Sequence, residues 1–115
     1  MRDKDRVRLR HMLDAARDAA AFVHGTARGN LDADRKLVLA VVKSVEIIGE
    51  AASQVSSEGQ AEHPELPWRD MIAMRHRLIH GYYDINLDIV WNTVQEDVPP
   101  LIRALEAALA SGPSS

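Results

Sequence analysis

The chain contains no cysteine, which excludes disulfides, thiolate catalysis, iron–sulfur clusters and cysteine-based zinc sites. Any metal would need histidine and carboxylate ligands, and the composition is compatible with a reducing, cytoplasmic setting. Long hydrophobic runs are also missing. The longest, Leu37 to Val42, is six residues, far short of the roughly 20 that a membrane-crossing helix needs. The first ten residues, MRDKDRVRLR, alternate charges where a secretory leader requires an apolar core. There is no internal repeat, no low-complexity tract and no glycine-rich phosphate loop. Nor is there an excess of positive charge: a formal net charge of −3 argues against a protein that grips nucleic acid by bulk electrostatics.

What is present is 115 residues, 46% hydrophobic and 27% charged, enough for one domain over 1–115 with an ordered core of about residues 4–110. The charge is segregated. Residues 1–24 carry six basic and four acidic side chains, residues 69–80 three and one, and residues 81–110 one and five. The segment 69–80 also holds two histidines.

Apolar residues recur at helical spacing through most of the chain. Over 4–24, Leu9, Met12, Leu13, Ala16, Ala19, Ala20 and Val23 form one stripe. The Arg run from Arg2 to Arg10 reads most simply as a solvated face balanced by Asp3 and Asp5, with guidance of RNA the lesser alternative. A breaker cluster at 25–30 predicts a loop, with Asn30 or Asp32 capping the next helix. From Ala33 to about Val55 the apolar positions cover most of the circumference, Leu39 and Ile47 included, which predicts a central buried helix. Lys43, Glu46, Glu50 and Ser53 are its polar stripe. Gly49 inside this helix points to close approach of another backbone. Residues 56–67 read as a loop, and 67–79 as a third helix that begins with Pro67 and is ended by Gly81. A fourth helix starts near Asn86 and keeps its hydrophobic phase to Leu109. Pro99 and Pro100 remove backbone donors within it, which predicts a kink or a split of the helix at the prolines and leaves the carbonyls near Gln95 and Glu96 without partners. Trp68 and Trp91 fall on apolar phases and read as core. The expected architecture is an all-α, four- to five-helix antiparallel bundle.

The densest polar cluster is Arg75-His76-Arg77-Leu78-Ile79-His80-Gly81-Tyr82-Tyr83. On an ideal helix Trp68, Ile72, Arg75 and Ile79 share a face, so Arg75 is expected on an apolar, core-facing side that demands a partner or an interface. His80 follows Arg75 by five residues, about 140° around a helix of 3.6 residues per turn. Either the helix unwinds near Gly81 or the site is shared between subunits. Such residues suffice for RNA cleavage without a metal or other cofactor. An imidazole can take the proton of a ribose 2′-hydroxyl, and a guanidinium can hold the charge that builds on the phosphate. A charged helix end in which Arg and His bond the last carbonyls is the structural alternative. His76 and His80, at i and i+4, could share a metal, but no His-Glu-x-x-His pattern or nearby carboxylate completes a zinc site. His11, His24 and His63 read as surface or loop residues.

The run Arg75-(x)4-His80-x-Tyr82 resembles the motif of the HEPN superfamily, and the chain resembles in particular HepT, the toxin of HEPN/MNT toxin–antitoxin pairs. Val45-Glu46-Ile47-Ile48-Gly49-Glu50-Ala51-Ala52, Pro64-Glu65-Leu66-Pro67-Trp68, Leu78 to Asn86, Val90-Trp91 and Asp97-Val98-Pro99 match that family's pattern in order. The resemblance covers about residues 5–105. It implies a HEPN-type helical bundle, a homodimer or higher oligomer with two motifs at a shared cleft, and a metal-independent ribonuclease toxin. Arg75 and His80 would be the catalytic pair and His76 a supporting group. Many relatives carry asparagine where His76 stands, so the two histidines compete for the role of base. Tyr82 would receive AMP from a minimal nucleotidyltransferase antitoxin. Glu50 and Tyr83 would stand behind the reacting groups, although a solvated or salt-bridged Glu50 and a packing role for Tyr83 are the simpler readings. The alternative function is an inactive nucleotide- or RNA-binding or interaction module of the same fold.

Overall fold

A computed structural model describes residues 1–80 and 84–111, with His80 described through its backbone alone. Its helices are α1 Asp3–Val23, α2 Gly29–Ala33, α3 Arg35–Ser53, α4 Ser57–Glu62, α5 Trp68–Leu78, α6 Leu87–Asn92 and α7 Val98–Ala110, with a π-helical turn, Thr93–Asp97, joining the last two. Two short strands, β1 Ile79–His80 and β2 Asp84–Ile85, pair antiparallel, Ile79 opposite Ile85 and His80 opposite Asp84. The architecture is the expected all-α bundle. No helix among the described residues is long and apolar enough to cross a membrane.

The predicted stripe of α1 is its buried face: Leu9, Met12, Leu13, Ala16, Ala19 and Val23 are all in the core. They pack chiefly against α3, whose Val38, Val41, Val45, Ile48 and Ala52 are buried in turn. The two helices run antiparallel, because Asp5 at the start of α1 meets Ser56 just past the end of α3. Met71, Met74 and Leu78 bring α5 onto α3, and Leu101, Leu105 and Ala108 bring α7 onto α1. At Gly49 the expected close approach is real: a Cβ there would stand 2.8 Å from the carbonyl oxygen of Met71. Only glycine lets α5 settle this deeply on α3. Trp68 and Trp91 pack against the core, and the Trp68 indole donates to the His63 carbonyl at 2.9 Å.

Several local expectations are corrected. The loop expected over 25–30 holds only to Arg28, where α2 takes over at Gly29, and α4, Ser57–Glu62, interrupts the loop expected over 56–67. The cap of α3 is Asp34, which accepts the Leu37 amide at 3.1 Å. Asn30 instead accepts the Ala27 amide, and Asp32 pairs with Arg28. Leu39 and Ile47 are exposed, so the apolar surface of α3 is wider than the core it meets. Asp5 is only 4% exposed rather than solvated. It accepts both the amide and the hydroxyl of Ser56, at 3.0 and 2.6 Å, while the same hydroxyl accepts the Gly59 amide. Burial pushes this carboxyl up, but the two Ser56 bonds, with Arg2 and the N-terminal amine nearby, outweigh it and hold it below its ordinary value.

The prolines act one turn earlier than a kink at their own position. Pro99 and Pro100 lie in the first turn of α7, where a missing amide proton costs least. The break falls upstream, at the π-helical turn, where the Val98 amide reaches back five residues to the Thr93 carbonyl. Gln95 and Glu96, which lose the α-helical partners that Pro99 and Pro100 cannot supply, are exposed to water.

Candidate active site

Helix α5 presents Arg75 outward. Its core face is Met71, Met74 and Leu78, so the side shared by Ile72 and Arg75 is solvent-facing, contrary to the expectation of a core-facing guanidinium. The partner that the sequence demanded is Glu46 on α3: Arg75 Nε stands 3.3 Å from Glu46 Oε1, with the two side chains 54% and 29% exposed. This pairing leaves the terminal amino groups of the guanidinium without an ion-pair partner among the described residues. A fork of that kind matches a phosphate better than a lysine would.

The helix does unwind before His80, though not by a glycine cap. Its last residue is Leu78, and Ile79 is already extended at φ −122°, ψ 122°. Pairing of β1 with β2, continued by the Asn86 amide donating to the Leu78 carbonyl at 2.9 Å, takes over where the helical ladder stops. Asn86 also caps α6 by accepting the Ile89 amide, so this residue closes the hairpin and opens the next helix. The backbone therefore leaves the helix at Ile79, two residues ahead of Gly81, which removes the 140° separation from His80 that a continuous helix would impose. Gly81, Tyr82 and Tyr83, with the His80 side chain, lie outside the described residues, as does the tail 112–115.

Two grooves meet at the Arg75–Glu46 pair. One, of about 470 Å³, is lined by Arg35, Leu39, His76, Ile79 and Ile85 in addition to the pair itself. His76 is exposed at its edge. The second, of about 410 Å³, runs toward α1 and includes Arg8, His11, Lys43, Glu50 and Gln54. Glu50 lies in this second groove and does not reach the guanidinium; its carboxylate accepts from Gln54 at 2.9 Å. The acidic residue that touches Arg75 is thus Glu46, one helical turn before the residue singled out from sequence. Both sit on the polar stripe of α3, and the signal that separates them is the Gly49 contact, which sets the level at which α5 crosses.

A third cavity, about 330 Å³, opens on the other side of α5 against α7. Glu65, Asp70, Glu96 and Asp97 surround it with Arg77 as the basic residue, a lining that repels phosphate. His63 belongs to this acidic side of the molecule, where its ring holds the Glu65 carboxylate at 2.8 Å and lowers its proton affinity.

An all-α bundle that presents an outward arginine and a neighbouring histidine where two grooves meet, with the backbone leaving the helix just beyond, defines a class of helical proteins with an open arginine at a cleft. The chain belongs to the HepT-like family: the family model described as Ribonuclease HepT-like matches residues 12–108. It is 44% identical over 68 residues to a "Probable ribonuclease HepT" of Thermococcus cleftensis, a match covering 59% of this chain and 62% of that protein. A "Putative RNase" of Caldanaerobacter subterraneus subsp. tengcongensis is 33% identical over 101 residues, 88% of this chain and 90% of the relative. Another "Putative RNase", from Methanocaldococcus jannaschii, is 31% identical over 98 residues, 85% and 90% of the two chains. No solved structure matches.

Proposed function

We propose that this protein is a metal-independent endoribonuclease toxin acting from a cleft shared by two copies, and that a minimal nucleotidyltransferase antitoxin silences it by transferring AMP to Tyr82. The observation that carries the reading is the Arg75 guanidinium, held through Nε by Glu46 and otherwise open between two grooves, in a chain of a ribonuclease family. His80 removes the proton of the ribose 2′-hydroxyl. The 2′-oxygen then attacks the adjacent phosphorus, and the bond to the 5′-oxygen breaks as that oxygen takes up a proton. The products are a 2′,3′-cyclic phosphate and a 5′-hydroxyl. Arg75 holds the charge on the non-bridging oxygens. His76 supports this step from the edge of the cleft, or itself serves as the base. Glu50 and Tyr83 shape the surroundings, whereas Glu46 orients the guanidinium directly.

Dimer formation is supported by Leu39, Ile47 and Ile72, large apolar side chains left exposed on α3 and α5 beside the Arg75–Glu46 pair. An AMP group on Tyr82 would bring a phosphate close in sequence to Arg75 and compete with RNA for the guanidinium.

The test is cleavage of total cellular RNA in excess EDTA by the purified protein and by His80→Ala, after intact mass has shown Tyr82 to be unmodified. Cleavage that ignores EDTA, needs His80 and leaves cyclic phosphates is the expected result. An unmodified wild type that cuts no RNA pool would replace the nuclease by a binding module of the same fold.

A further inference from the structure

The groove on the α1 side of Arg75 contains cations that the reaction as described does not use. Arg8 and His11 lie three residues apart on α1 and so share a face. Lys43 stands one turn before Glu46 on α3 and lines the same groove. Among the described residues neither Arg8 nor Lys43 is held by a carboxylate, and what sets them apart is that both line the groove that ends at Arg75. Of the two acids in the groove, Glu46 pairs with Arg75, while Glu50 accepts from the neutral Gln54 amide and keeps its charge, so the three cations Arg8, Lys43 and Arg75 exceed the two carboxylates by one. The result is a channel with uncommitted positive charge that ends at the guanidinium. The cavity beyond α5, rimmed by four carboxylates, has the opposite character. In a chain with a net charge of −3, this polarity is a local arrangement rather than a consequence of overall composition.

We infer that Arg8 and Lys43, with His11 beside them, form a phosphate subsite that holds the RNA backbone next to the phosphate at Arg75. The inference rests on the ribonuclease reading for the identity of the ligand. These are positioning residues: they neither touch the scissile phosphate nor move its proton, and they set the register of the strand across the cleft.

The experiment measures binding of a fluorescent single-stranded oligonucleotide with 2′-O-methyl sugars, which cannot be cut by 2′-hydroxyl attack, over a series of KCl concentrations. It is paired with steady-state cleavage of the matching RNA. The proteins are wild type, Arg8→Gln, Lys43→Ala and, as a control of equal charge change, Arg103→Ala on α7, which lines none of the three cavities. Loss of one phosphate contact should reduce the slope of log K against log salt by about 0.7 for a single strand. Arg8→Gln and Lys43→Ala should each show this change and a several-fold rise in KM, with kcat within about twofold of wild type. Arg103→Ala should show neither.

Unchanged slope and KM in both groove variants would overturn the subsite. So would an equal loss in Arg103→Ala, which would assign the effect to bulk charge, or a fall in kcat at constant KM, which would place these residues at the reacting phosphate. A wild type that binds the oligonucleotide with the predicted slope change in Lys43→Ala but cuts no RNA would uphold the subsite and refute the nuclease. A wild type that cuts RNA while the groove variants behave as wild type would do the reverse. Melting curves distinguish misfolding from lost contact, and the two substituted residues lie on separate helices, so one sound variant suffices.

Discussion

Two carboxylates at helix contacts, Asp5 and Glu46, are used in opposite ways. Asp5 is buried where α1 meets the start of α4, accepts two bonds from Ser56, and lies so near Gly59 that a Cβ on that glycine would stand 2.5 Å from its Oδ2. Glu46 is partly exposed, meets a single guanidinium through one nitrogen, and leaves the rest of that cation to solvent. The first acid is saturated by the fold and has nothing left for a ligand. The second is under-committed, which is what a site needs: a charge oriented on one side and open on the other. The same contrast holds for the arginines, since Arg17 and Arg28 are tied to carboxylates while Arg75 keeps its fork free.

Substitutions at each place should separate the two roles. The largest effect is expected from Arg75→Ala and His80→Ala, which should each lower RNA cleavage by at least about 100-fold. Circular dichroism and thermal melting should remain close to wild type, because the Arg75 guanidinium is exposed. Unfolding of both variants would make the motif structural and erase the contrast. The reverse pattern is expected at the α1–α4 junction. Gly59→Ala should cost about 1–3 kcal/mol of stability by overpacking against Asp5 and Val55, read as a lower denaturation midpoint. Cleavage per folded molecule should be unchanged.

The smallest effect is a pH dependence carried by Asp5. Its folded-state pKa lies below the unfolded value, so its contribution is fully present above the ordinary aspartate value of about 3.9 and is lost as pH falls through the folded value. Wild-type melting temperature should therefore fall more steeply than that of Asp5→Asn as pH is lowered past the ordinary aspartate value of about 3.9, with the gap between the curves narrowing toward acid. Parallel curves would show that Ser56 does not favour the ionised form.

Much of the bundle was legible along the chain. Stripes of period 3.6 identified the buried faces of α1 and α7, the Gly49 contact followed from a glycine inside a helix-period stripe, and the helix start near Asn86 followed from the hydrophobic phase that begins at Leu87. The errors share a cause. Asp5 could not be distinguished from a surface acid because the group that buries it, Ser56, is 51 residues away. Glu46 and Glu50 share one stripe, and although Gly49 marks where another backbone approaches α3, the sequence does not say which helix crosses there or which acid it brings to Arg75. Arg75 was placed on the core side because Ile72 and Ile79 share its face, yet α5 rests on Met71, Met74 and Leu78.

Local sequence therefore decided which of the long segments are helical and which face of most of them is apolar, since propensity and periodicity act over a few turns, whereas the short helices α2 and α4 lie in segments that read as loop. It also supplied the residue types of the cleft. The depth and level at which α5 packs on α3 were decided by tertiary contact at Gly49, and the pairing of β1 with β2 carried the chain out of the helix before His80. Those two events determine which acid holds Arg75 and which grooves meet there, because a side chain's partner depends on where a neighbouring helix crosses, and that is a property of packed surfaces rather than of spacing.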